Sequence, residues 1–123
     1  MNIPHLFDYT EDSPSVIIPL PLVQLYNAAP KPTCAAALIA LFEQYTIATN
    51  SHWVTKTLDE IRQDLLGLFG RQLVSKTIQW LVSHDYLHRQ MARKDDFNRT
   101  YSYCLNVKKV RDALKQYPSG EVF

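Results

Sequence analysis

The chain has 123 residues, 46% hydrophobic and 20% charged, a length for one compact domain, alone or with a docking arm, and a composition that excludes intrinsic disorder. Its net charge of +1 excludes a uniformly basic nucleic-acid coat. The charge is divided, however: residues 1–52 hold one base against four acids, and residues 53–123 hold twelve bases against eight acids, so a polyanion would meet the second part. Residues 1–15 mix Pro4, Pro14 and acids without a period and read as an irregular arm. Pro21 then permits a short apolar helix to about Ala28, closed by Pro30-Lys31-Pro32. Thr33 is placed to cap a long helix over 34–48, with Leu38, Leu41, Phe42 and Tyr45 at helical spacing and Ala36, Ala37 and Ala40 allowing close approach. A short strand follows over 52–56, with Trp53 and Thr55 on one face and Trp53 read as a core residue. Thr57-Leu58-Asp59-Glu60 matches a capping box that starts a helix with Leu58, Ile61 and Leu65 inward, and Gly67 marks the turn after it. Gly70 opens another helix through about His84, with Val74, Ile78, Leu81 and Val82 inward. Residues 86–94 and 100–106 read as strands joined by a turn over 95–99, and Asn106 is a cap for a last helix carrying Val107, Val110, Leu114 and Tyr117.

The two cysteines, Cys34 and Cys104, have no metal-ligand or redox spacing and read as reduced, buried thiols. The longest apolar run, residues 34–42, falls short of the ~20 residues that span a bilayer, so the expectation is a soluble, cytoplasmic protein with no membrane contact.

The stretch LDEIRQDLLGLFGRQLVSKTIQWLVSHDYL, followed by RKDDFNRTYSYCLN, resembles the winged helix-turn-helix family in its order of helix, turn, helix and two strands around a polar turn. The segment Asn98-Arg99-Thr100-Tyr101 is similar to wings of bacterial, phage and plasmid members. The resemblance covers residues 33–106 and rests on spacing, not on a signature motif. It implies a mainly helical α+β fold: an N-terminal arm with a short helix (1–32), a winged helix-turn-helix domain (33–106), and a C-terminal helix and tail (107–123). Members of the family often cap the third helix with Ser or Thr and follow it with Gly; this chain has Gly70 and Asp85 there. Glycine caps tolerably and aspartate tolerates left-handed geometry.

In such a fold the third helix enters the major groove and the wing grips the adjacent backbone. The resemblance thus assigns Arg71, Gln72, Ser75, Lys76 and Gln79 to base edges and phosphates, and Arg93, Lys94 and Arg99 to phosphate, with Arg99 also able to enter a narrow minor groove. Lys56 and Arg62 are weaker candidates. Most polar helix faces are merely solvated; this one differs in having no acid from 71 to 83. Asp95 and Asp96 oppose wing binding because they cancel two nearby bases. Trp80 and the strand tyrosines read as packing residues more readily than as stacking platforms. His84 and His88 lack a third ligand, and there is no phosphate loop, dinucleotide fingerprint or nucleophile elbow, so neither cofactor nor enzyme activity is expected. The expected partner is double-stranded DNA, bound as a transcriptional regulator; a winged-helix adaptor for a protein partner, in a replication or partition complex, is the alternative. The apolar segment 16–26 and the last helix suit a homodimer on an inverted repeat, or the completion of the monomer's own core.

Overall fold

A computed structural model describes residues 16–94 and 99–116. The expected arm over 1–15, the turn residues 95–98 and Tyr117 lie outside the described residues. The architecture is α+β and mainly helical, with five helices and a three-stranded antiparallel sheet among the described residues.

The first helix, α1 (Leu20–Leu25), starts with proline in its first turn and ends three residues before Ala28. Helix α2 (Pro32–Thr49) begins earlier than its sequence suggested: Lys31 is the N-cap, Pro32 opens the helix, and Thr33 lies within the first turn without capping it. The first half of α2 is buried on every side, from Cys34 through Ile39 and again at Leu41 and Phe42, because three successive alanines let neighbouring elements approach the backbone closely. Its second half emerges into solvent at Glu43, Gln44 and Ile47. Asn50, in the left-handed region at φ 51°, ends it.

Strand β1 (Trp53–Lys56) buries Val54, not Trp53, whose side chain is 43% exposed. The correction is one of parity. Val54 pairs with Tyr103 on the face turned to α2, where Tyr103 packs on Phe42 at 5.0 Å, and its neighbour must therefore point outward. Strands β2 (Leu87–Lys94) and β3 (Arg99–Leu105) form a hairpin, and β3 is central, giving the order β1-β3-β2. The register pairs Leu87 with Leu105 and Lys94 with Arg99 and shifts between Met91 and Arg93.

The Thr57 capping box is present. Thr57 Oγ1 accepts from the Glu60 N–H at 3.1 Å, and Glu60 Oε1 accepts from the Thr57 N–H at 2.9 Å. This second bond holds the Glu60 carboxyl below the usual carboxylate range. Helix α3 (Leu58–Asp64) ends with Leu65 as its C-cap. Leu66 and Gly67 both take left-handed conformations, at φ 56° and 68°, and so turn the chain toward α4 (Arg71–Ser83). Asp85, at φ 65°, does the same after α4. The last helix, α5 (Val107–Gln116), is fastened to that turn by Asn106, which accepts from the Lys109 N–H and donates to the Asp85 carbonyl at 2.8 Å.

One continuous core joins Leu22 and Tyr26 of the N-terminal segment, α2, Ile61, Val74, Ile78, Leu81, Tyr103 and Val110. Leu22 and Tyr26 thus complete the chain's own core, while Ile17, Ile18 and Leu20 stay exposed. Trp80 is half-buried, edge-on to Tyr26 at 6.0 Å and stacked on His84 at 4.1 Å. Cys34 is buried and Cys104 half-buried, both free, and burial pushes both thiols up from their usual range.

Candidate functional site

The site expected from sequence begins on α4. Its inner face is fixed by Val74, Ile78 and Leu81, all buried, and by Thr77, whose hydroxyl is satisfied by donating to the Leu73 carbonyl at 2.7 Å. Burying that face turns Arg71, Gln72, Lys76 and Gln79 outward as exposed side chains, with Ser75 half-buried beside them. These positions recur at i, i+1, i+4, i+5 and i+8, so they form one stripe about 12 Å long at 1.5 Å per residue. At the start of the stripe, Gly70 caps α4 with backbone alone, and a Cβ built on it meets nothing within 4 Å. No side chain therefore caps the first N–H groups of the helix, where the positive end of the dipole lies.

The electrostatics of this face include a group that sequence reading missed. Asp59, in the first turn of α3, accepts from Arg71 Nη1 at 2.8 Å and lies 3.8 Å from Arg62 Nη1. The stripe is free of acids along its own helix, but an acid from the preceding helix holds its first cation. Lys76 forms no ion pair among the described residues. Leu66 and Leu68 are a second unforeseen feature: at 50% and 60% exposure they project from the turn between α3 and α4. The run Leu65-Leu66-Gly67-Leu68-Phe69 was the available signal, because a tight turn cannot point four large apolar side chains inward at once, and only Leu65 and Phe69 are buried.

The hairpin positions expected to contribute, Arg93, Lys94 and Arg99, occupy the end of β2 and the start of β3, with Arg93 opposite Thr100 and Lys94 opposite Arg99. Their backbones therefore converge at one end of the hairpin. The weaker candidates have other engagements. Lys56 Nζ lies 4.5 Å from the centre of the Tyr45 ring, and Arg62 is half-buried beside Asp59 with its Nε buried and unpartnered among the described residues. Arg89 covers the Tyr101 ring at 4.4 Å. Tyr101 and Tyr103 lie 6.2 Å apart as packing partners, and Tyr86 stacks against Trp80 at 6.2 Å.

Among the described residues no three His, Cys, Asp or Glu side chains gather as a metal site would require, and no helix is long and apolar enough to cross a membrane. No protein-family profile, curated protein or solved structure matches the chain.

Proposed function

We propose that this chain is a winged-helix protein that reads double-stranded DNA as a transcriptional regulator. In this reading α4 lies in the major groove and the end of the β2–β3 hairpin rests on the neighbouring backbone. One observation carries the proposal: α4 exposes a single stripe of two cations, two amides and a hydroxyl, with no acid of its own, beginning at an N-terminus that no side chain caps. A helix about 10–12 Å across fits a major groove about 12 Å wide, and a stripe of about 12 Å along its axis is long enough to meet several successive base pairs. Gln72 and Gln79 suit adenine, Arg71 and Lys76 suit guanine or phosphate, and Ser75 suits either kind of group. The uncapped N–H groups suit a phosphate oxygen. Three further cations at the hairpin end, Arg93, Lys94 and Arg99, supply the backbone grip.

The test is fluorescence anisotropy of a random-sequence duplex across a salt series, comparing wild type with Arg71→Ala/Lys76→Ala. Each phosphate contact contributes about −0.9 to the slope of log affinity against log salt, so losing two should flatten the slope by about 1.8. Selection from a random duplex pool then yields the preferred site. Folded protein that shows no binding at low salt refutes the reading.

A second reading draws on Leu66 and Leu68. Two exposed leucines at the turn favour a protein partner at this same end of the molecule, with the chain acting as an adaptor. An adaptor keeps its partner when Arg71 and Lys76 are replaced and loses it when Leu66 and Leu68 become serine.

A further inference from the structure

On the side of the molecule formed by α1, the middle of α2, the end of β3 and α5 lies a cleft of about 400 Å³. Its floor is core: Leu22 and Val110 are nearly fully buried, and Ile39, Ala40, Leu105 and Leu114 complete the walls. The small side chain of Ala40 on α2 leaves room there. The mouth is charged on two sides. Arg111 and Lys115, one turn apart on α5, stand on one rim, and Glu43 of α2 lines the other. None of the three forms an ion pair among the described residues, so the mouth carries one net positive charge over an apolar floor.

Ligand pockets of about 300–1,000 Å³ with apolar walls and a few polar groups bind small molecules whose polar end those groups orient. We propose that this cleft binds an amphiphilic carboxylate, a medium-length acyl or aryl acid, with its apolar body against Leu22, Ile39 and Val110 and its carboxylate between Arg111 and Lys115. Two cations outnumber the one acid at the mouth, which selects an anion over a cation. Guanidinium and ammonium donors one helical turn apart can share the two oxygens of one carboxylate. The apolar floor requires a hydrophobic body and excludes a bare inorganic anion. The site shares no residue with the α4 stripe, so it stands or falls independently of the DNA reading.

The experiment titrates the full chain with hexanoate, octanoate, decanoate and, as a neutral control of equal length, decanol, followed by calorimetry and by amide shifts of Ile39, Ala40, Leu105 and Val110. Affinity should rise about fourfold per methylene while the cleft still has room. Decanoate should bind at least about tenfold more tightly than decanol, the factor that one charge-assisted hydrogen bond confers. Arg111→Gln/Lys115→Gln, at exposed positions, should remove that preference without altering the fold, and Ala40→Phe should fill the cleft and block all four probes. Three results overturn the proposal: no saturable shifts at those amides, decanol binding as tightly as decanoate, or undiminished decanoate binding by the double variant. A chain that sediments as a dimer and shows no decanoate shifts assigns the cleft to a second copy and equally overturns it.

Discussion

Replacing Asp59 with asparagine tests whether the cation at the head of α4 is available to DNA. Asp59 holds Arg71 at 2.8 Å, with the two side chains 69% and 61% exposed. An ion pair this open to solvent is worth about 0.2–1 kcal/mol. A phosphate that recruits Arg71 must first displace Asp59, so Asp59→Asn should tighten binding to a random duplex by about 1.4- to 5-fold, at 1.4 kcal/mol per tenfold. The same change should weaken the fold, because Asp59 is one of two acids in the first turn of α3, where a negative charge contributes about 0.3–1 kcal/mol against the helix dipole.

Tighter binding by a less stable protein is an outcome that general damage does not produce. Thermal denaturation and anisotropy on the same preparation give the two signs, and a double-mutant cycle with Arg71→Ala isolates the coupling. Unchanged or weaker binding by Asp59→Asn refutes the reasoning, as does a gain that persists when Arg71 is alanine.

Tyr26→Phe removes a hydroxyl that is buried without a partner among the described residues, while its ring keeps its edge contacts with Trp80 and Tyr86. Urea unfolding should show no loss and a gain of up to about 1 kcal/mol. Burial also pushes the Tyr26 phenol far above its usual range, with the nearby Tyr86 adding to the shift. The unfolded chain therefore loses this proton near pH 10 while the folded chain keeps it, so this group's contribution to stability is constant below about pH 10 and falls as pH rises further. Tyr26→Phe should make that alkaline decline shallower without abolishing it, because burial also raises Tyr45 and Tyr103. Thr57→Ala removes the acceptor for the Glu60 N–H and should cost about 1 kcal/mol in chemical denaturation. Asp85→Gly relieves the left-handed conformation after α4, in which the Asp85 side chain makes no hydrogen bond among the described residues, and should stabilise by up to about 1 kcal/mol.

Local chemistry explains which elements were legible in the sequence. The Thr57–Glu60 box, the turn at Gly67, the cap at Asn106 and the left-handed Asp85 each act within a few residues, and all four stand where their residue types predict. The inward face of α4 was equally plain, because Val74, Ile78 and Leu81 repeat at helical spacing and no neighbour competes for that side. Burial in short elements was harder to read. A four-residue strand holds two residues per face, so the pattern around Trp53 allowed either parity, and only the pairing of Val54 with Tyr103 over Phe42 decides between them. The start of α2 went astray for a related reason: Thr33 is a good cap by type, but Pro32 already has the backbone angle of a first helical residue, and the helix begins there.

The candidate site divides along the same line. Which α4 side chains face outward follows from the periodicity of one helix, and that much the sequence contains. What those side chains meet depends on the short turn that brings α3 against α4. Asp59 and Arg71 are twelve positions apart, and no spacing rule links them, yet Leu66 and Gly67 in left-handed conformations fold the chain so that the two charges touch. A helix face without acids is therefore not a field without acids. Only Lys76 then keeps an unpaired charge on the stripe among the described residues, and it should carry more of any encounter with a polyanion than Arg71. Replaced singly, Lys76→Ala should slow duplex association more than Arg71→Ala, because steering acts on charge that is exposed and uncompensated before contact. Stopped-flow association at low salt measures both rates, and equal slowing by the two variants refutes this ordering.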